Sequence, residues 1–234
     1  VLAVFGVCGL AIADFAHGYL MDNAREEVEG QERLMMASAA AIRDYIGKDI
    51  SPLLAQNPRH RVHFLAETVP FYGAITTFAW LRHDHPDSSY KRTALNPTNP
   101  EDRPTSWQVD IIDWLRDHPD QTERTGQRIT PIGPALYPAR PIHATQEYLQ
   151  CHGAPAAAAP KALIAVYGSA NGFGWKLNEI VGARIVSVPL AVPVEKARNA
   201  FHRLLIFLAL TMLLTMAALD AGVYWLGATR LPRN

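Results

Sequence analysis

The stretch Glu147–Pro155, EYLQCHGAP, decides how the rest of the chain is read. It contains Cys151-His152-Gly153, the second half of a Cys-x-x-Cys-His haem attachment pattern. Where the first cysteine of that pattern would stand there is Tyr148. In c-type attachment the cysteines add across the haem vinyl groups, and the adjacent histidine becomes an axial iron ligand. One thioether is enough to tether the macrocycle. Two readings follow: Cys151 makes the sole thioether with His152 on the iron, or the fold survives and the haem is lost. The first is preferred, because a discarded site has no physical reason to keep both residues in register.

Outward from this loop the sequence alternates short strands and helices. GQRITPI, ALYPARPIH and ARIVSVPLAV have the β-branched character of strands. GAITTFAWLRHDHP and SWQVDIIDWLRDHP read as helices that each stop at His-Pro, since the residue before proline is pushed out of the helical region. Between them NPTNPEDRP marks consecutive turns. The glycine-rich GSANGFGW lacks phosphate-loop spacing and reads as a tight turn near the Cys-His loop. GAPAAAAPK reads as a low-complexity loop. Upstream, DNAREEVEGQERLMMASAAAIRDYIGKDISPLL has no proline before Pro52 and carries Met35, Ile42, Ile46 and Leu53 near a helical repeat. The expectation is an α+β domain with an antiparallel sheet and a long N-terminal helix.

The two ends are apolar. Leu204 to Leu219 carries no charge within LLIFLALTMLLTMAALDAGVYWLG, and roughly 20 apolar residues in a helix span a bilayer core. VLAVFGVCGLAIADFAHGYLM is apolar as far as Asp14 and reads as a second span; a signal peptide is disfavoured, since no basic segment precedes it and no small-residue cleavage site follows. The chain begins at a valine, so upstream residues are expected. The layout is a transmembrane helix at 1–21, an extracytoplasmic domain at 22–193, a connecting helix at 194–203, a second transmembrane helix at 204–227 and a cytoplasmic tail at 228–234. Arg230 and Arg233 agree with that orientation, while Lys196, Arg198 and Arg203 at the other end of the span weaken it. Cys8 lies in the first apolar block and Cys151 in the polar middle, so no disulfide joins them. With 22 basic and 22 acidic residues and no basic run, a nucleic-acid partner is excluded.

Three further strings, YKRTALNPTNPEDRPTSWQVDIIDWLR, RPIHATQEYLQCHG and YGSANGFGWKLNEIVGARIVSVPLAVP, together resemble a family of bacterial extracytoplasmic PAS-like c-type haem domains. Its members occur as the sensory part of membrane histidine kinases and as free-standing haem proteins. The resemblance covers roughly Glu32 to Pro193. It implies haem c as cofactor, with the second attachment cysteine on Cys151 and the proximal iron ligand on His152, and its first cysteine falls on Tyr148. Tyr148 is then expected to pack against the porphyrin edge. The sixth ligand is not carried over: Met35 or Met36, His143, or none, with Met36 taken as the candidate. A methionine would raise the potential and suit electron transfer, and an open position would suit gas sensing. Paired methionines at helical spacing are more often core filling.

Other sites read blandly. His60 with His63, and His83 with His85, have metal-like spacing but no clear third ligand. Asp14 and His17 in the first span reach the outer interface, whereas Asp220 has apolar sequence on both sides and points to a partner helix. No nucleophile–base set is evident, so no enzymatic activity is expected. Thioether attachment outside the cytoplasm places the protein in a bacterial inner membrane with its domain on the periplasmic side. The expected role is an accessory redox or electron-transfer subunit of a membrane complex, with other membrane subunits as partners. A redox or gas sensor, which would be a homodimer, and a haem-free structural subunit are the alternatives. The few residues after the second span lack an output domain, which favours the subunit.

Overall fold

A computed structural model of the chain describes residues 2–61, 63–131, 133–154 and 159–229, without the side chains of residues 2, 3, 60, 61 and 227–229. The His60 side chain, tail residues Arg230 and Arg233, and residues 155–158 of the alanine-rich loop therefore lie outside the described residues. The chain divides into two compact units, one of Val28–Pro189 and one of Val1–Glu27 with Leu190–Asn234.

In chain order the helices are α1 (Leu2–Tyr45), α2 (Ser51–Ala55), α3 (Pro70–Asp84), α4 (Ser106–Asp117), α5 (Gln146–His152), α6 (Lys161–Tyr167) and α7 (Ala191–Thr229). A single π-helical turn, Ile46–Ile50, joins α1 to α2. The strands are β1 (Ser89–Ala94), β2 (Arg124–Thr130), β3 (Gly133–His143) and β4 (Ile180–Pro189). They form a four-stranded antiparallel sheet in the order β1-β4-β3-β2. The fold is α+β with a long N-terminal helix. Helices α3 and α4 end at Asp84 and Asp117, just before the two His-Pro pairs, as the proline rule requires.

The sheet has two different faces because side chains alternate along a strand. One carries Ala139, Ala183 and Ile185, on which α4 packs Ile111, Ile112 and Leu115. Burial of such aliphatic side chains contributes about 2 kcal/mol each. Helix α4 is started by a reciprocal cap in which the Thr105 side chain accepts from the Gln108 amide and Gln108 accepts from the Thr105 N–H. The opposite face carries Tyr90, Arg92, Arg184 and Arg140, and Phe78 of α3 packs on Tyr90 in a tilted pair with ring centroids 5.0 Å apart.

Helix α1 buries a different stripe from the one its apolar residues suggest. Within the Val28–Pro189 unit, Val28, Glu32, Met36 and Ala39 are its buried positions, at three- and four-residue spacing, while Met35 and Ile42 are half-buried, as is Ile46 just after it, and Leu53 of α2 is exposed. In the other unit, His17 meets the edge of Phe201 at 5.0 Å. Both α1 and α7 contain segments long and apolar enough to cross a membrane, by length and composition.

Candidate functional site

Helix α5 places Tyr148, Cys151 and His152 within one turn of each other, as positions three and four apart share a helix face. The turn closes at Gly153, whose amide donates to the Leu149 carbonyl at 3.0 Å. A Cβ at Gly153 would lie 2.6 Å from that carbonyl oxygen, so the glycine after Cys-His is sterically required. The loop is then clamped by the glycine-rich segment: Trp175 N–H donates to the His152 carbonyl at 3.1 Å, and Gly174 N–H to the Gly153 carbonyl at 3.2 Å.

The same segment fixes the imidazole. His152 Nδ1 lies 2.7 Å from the Gly172 carbonyl oxygen, and a carbonyl only accepts, so Nδ1 carries the proton. Nε2 is left as the ring nitrogen available to a metal, the arrangement that orients ligating histidines. Trp175 stacks on the ring at 4.3 Å and Phe173 lies at 6.4 Å. Burial pulls the His152 pKa below its ordinary value, the Gly172 bond opposes that pull, and Arg92 adds to it. The neutral, metal-competent imidazole is therefore favoured. Burial pushes the neighbouring Cys151 thiol up.

His152 lines a cavity of about 460 Å³. That falls within the roughly 300–1,000 Å³ of small-molecule sites. Its wall is apolar at Val69, Ile75 and Leu163, with Tyr90 and Arg92 from the sheet and Tyr72 and Tyr167 from helices. Two residues of this wall each keep a polar atom buried within the protein without a hydrogen-bond partner, Oη of Tyr90 and Nε of Arg92. A mostly apolar cavity with one oriented imidazole and unsatisfied donors fits a flat apolar group with a metal at its centre and polar substituents at its edge. His152 is the residue of the wall that could hold the metal; Cys151 precedes it on α5 and, like Tyr148, is not among the lining residues.

Of the other expected site residues, Tyr148 packs against the small cluster of Ile142, Ala144, Trp175 and Val181, and its ring lies 6.0 Å from Phe71. Met36 is 3% exposed and is not among the residues lining the cavity. Met35 lines a separate groove with Leu34, Ile42 and Trp80, since consecutive helical residues diverge by about 100°. His143 is exposed, with Nδ1 3.3 Å from the Asn178 carbonyl. His63, His83 and His85 are exposed, and His83 contacts Asp84 at 3.1 Å. Sequence reasoning missed Tyr90, Arg92 and Gly172. Only the glycine run around Gly172 carries a sequence signal, and that signal is of a turn.

Among curated proteins none matches the chain. A solved structure, described as the cyanobacterial haem protein Tll0287, is similar at a TM-score of 0.51 and 15% identity, over 70% of this chain and 95% of that one. That likeness speaks to the fold. Residues 21–189 match the Tll0287-like family, so the chain belongs to the Tll0287-like family.

Proposed function

We propose that this chain is a membrane-anchored haem protein, with one haem c held by a single thioether to Cys151 and by His152 on the iron. The observation that carries the reading is the His152 imidazole, fixed by the Gly172 carbonyl at the wall of an apolar cavity and adjacent to Cys151. The similar Tll0287 structure is described as a haem protein, which supports it. The domain is read as PAS-like, and Tyr148 as filling the space of the missing thioether at the porphyrin edge. Bound haem would supply reversible one-electron chemistry; this chain's residues would orient His152 Nε2 and present the cavity wall. No catalytic role is assigned.

We assign the protein to the inner membrane, with its domain on the periplasmic side where thioethers form. In the first reading it is an accessory electron-transfer subunit of a membrane complex. Asp220 supports that role, being exposed amid exposed Leu219, Val223 and Tyr224 in an otherwise apolar helix, where a carboxylate calls for a partner. A second reading, a homodimeric redox or gas sensor, is favoured by the cavity wall itself. Among the described lining residues there is no methionine and no histidine besides His152. Such a wall suits an exchangeable sixth position.

A pyridine haemochrome spectrum of the detergent-purified protein, with haem staining after denaturing electrophoresis, tests the assignment. The expected result is an α band between those of protohaem and two-thioether haem c, lost in Cys151→Ala. Purified protein without haem sinks the reading. Carbon monoxide added to the reduced protein separates the roles: rapid binding selects the sensor, and a low-spin spectrum unmoved by the gas selects electron transfer.

A further inference from the structure

The sheet register brings three arginines into one row. Arg92 of β1 is directly opposite Arg184 of β4, and Arg184 is directly opposite Arg140 of β3. Like charges placed opposite each other across strands are destabilising, so the row needs an explanation. A fourth guanidinium arrives from α1: the Arg43 and Arg92 guanidinium carbons each lie 4.7 Å from the centroid of the Phe71 ring.

Partner accounting leaves this cluster short of negative charge. Arg140 is satisfied by Glu123, with Nε to Oε2 at 2.7 Å. Arg92 is ion-paired with Asp102 at 3.8 Å, too long for a hydrogen bond, with its side chain only 14% exposed, and Asp102 and Glu101 line the same cavity. Arg184 donates from Nη2 to the Pro141 carbonyl at 2.9 Å, and Arg43 from Nε to the Ala39 carbonyl at 3.3 Å. Neither has a carboxylate partner among the described residues. Nε of Arg92, Nε of Arg184 and the hydroxyl of Tyr90 are buried with no partner, and Tyr90 is 6% exposed. Burial, then the nearby Arg43 charge, pull the Arg184 pKa down. Buried donors left unmade are costly, and a planar guanidinium fork matches the geometry of a carboxylate.

We propose that Tyr90, Arg92 and Arg184, with Arg43 at their edge, form a carboxylate-binding subsite beside the His152 cavity, of which Tyr90 and Arg92 are a wall. The apolar cavity then takes the body of the ligand and the subsite takes its acid group. The acid is either the carboxylate side chain of a porphyrin or that of a free organic acid. The porphyrin source rests on the haem reading above; the free-acid source does not.

The full chain, produced without haem and held in detergent, separates these sources. It is titrated with ferric protoporphyrin IX and with its dimethyl ester, followed by Soret absorbance, and with succinate, followed by Tm. Charged hydrogen bonds of this kind correspond to about tenfold or more in affinity. If the acid belongs to the porphyrin, the free acid binds at least about tenfold more tightly than the diester, and Tyr90→Phe and Arg184→Met reduce it to the diester's level. If the acid is free, succinate raises Tm in the wild type and in neither variant. Should Arg184→Met fail to fold, the near-isosteric Tyr90→Phe carries the test. Equal binding of acid and diester, with no response to succinate, overturns the proposal and leaves the haem reading standing. A succinate response without porphyrin binding keeps the subsite and removes the haem. No response to any of the three ligands removes both.

Discussion

At the scale of single residues, Gly172 does more for the site than its position in a glycine-rich turn suggests. Its φ is +82°, a conformation that side-chain-bearing residues rarely adopt, and a Cβ there would lie 2.7 Å from the Thr98 amide nitrogen. Its carbonyl is the atom that holds His152 Nδ1. Gly172→Ala should therefore destabilise the domain by about 1–3 kcal/mol, the usual cost of such backbone strain. It should also lower the His152 pKa further, because the bond that opposes the burial effect is weakened. Urea denaturation with NMR titration of His152, both on the haem-free chain, checks both, and wild-type values in both would remove Gly172 from the site. The Cys-His-Gly triplet was legible in sequence because its chemistry is local to one turn. The Arg92, Arg184 and Arg140 row was not, because these residues are far apart in sequence and meet only through strand register. Scanning for basic runs cannot find a charge cluster assembled one residue per strand.

At the scale of elements, β1 is the strand that the sequence pattern does not announce, and it supplies Tyr90 and Arg92 to the cavity. Its sequence SYKRTA has no apolar alternation, because the alternate positions of one face are occupied by a tyrosine and an arginine instead of aliphatic residues. Helix α1 was legible in extent but not in facing, since its buried stripe includes Glu32, a residue that periodicity counts as polar. Burial first, then the charges of Glu29 and Glu123, raise the Glu32 pKa from 4.5 to about 8, and its Oε1 has no partner. Between those two values the folded state holds a proton that the unfolded state has released, so stability falls as pH rises through that window. Glu32→Gln keeps the shape and abolishes the titration. Its stability relative to wild type should therefore increase between pH 5 and pH 8, by about 3–4 kcal/mol if the whole shift is realised. Urea denaturation of both proteins at the two pH values measures this, and an unchanged difference would show that Glu32 does not hold its proton in the fold.

At the scale of the whole molecule, the apolar ends were the easiest feature to read, because about 20 uncharged residues need no register or partner to be recognised. What those helices meet is a different matter, and Asp220 is the residue that bears on it. Its neighbours Leu219, Val223 and Tyr224 are all exposed. A carboxylate at such a place costs roughly 2.5–3.5 kcal/mol on insertion scales unless something pairs with it. A partner helix carrying a donor would remove that cost, and an isolated chain would not need one if Asp220 sat at the bilayer surface. Asp220→Leu removes the carboxylate while making the helix more apolar, so insertion itself should be unharmed. In gently solubilised native membranes the wild type should migrate in an assembly, and Asp220→Leu should fall to a smaller species. Asp220→Asn, which retains a hydrogen-bonding group, should hold part of the assembly. The thermal melt of the Val28–Pro189 unit should be the same in all three, because Asp220 belongs to the other unit. If Asp220→Leu migrates with the wild type, the carboxylate has no partner, and the argument for a subunit over a sensor loses its support.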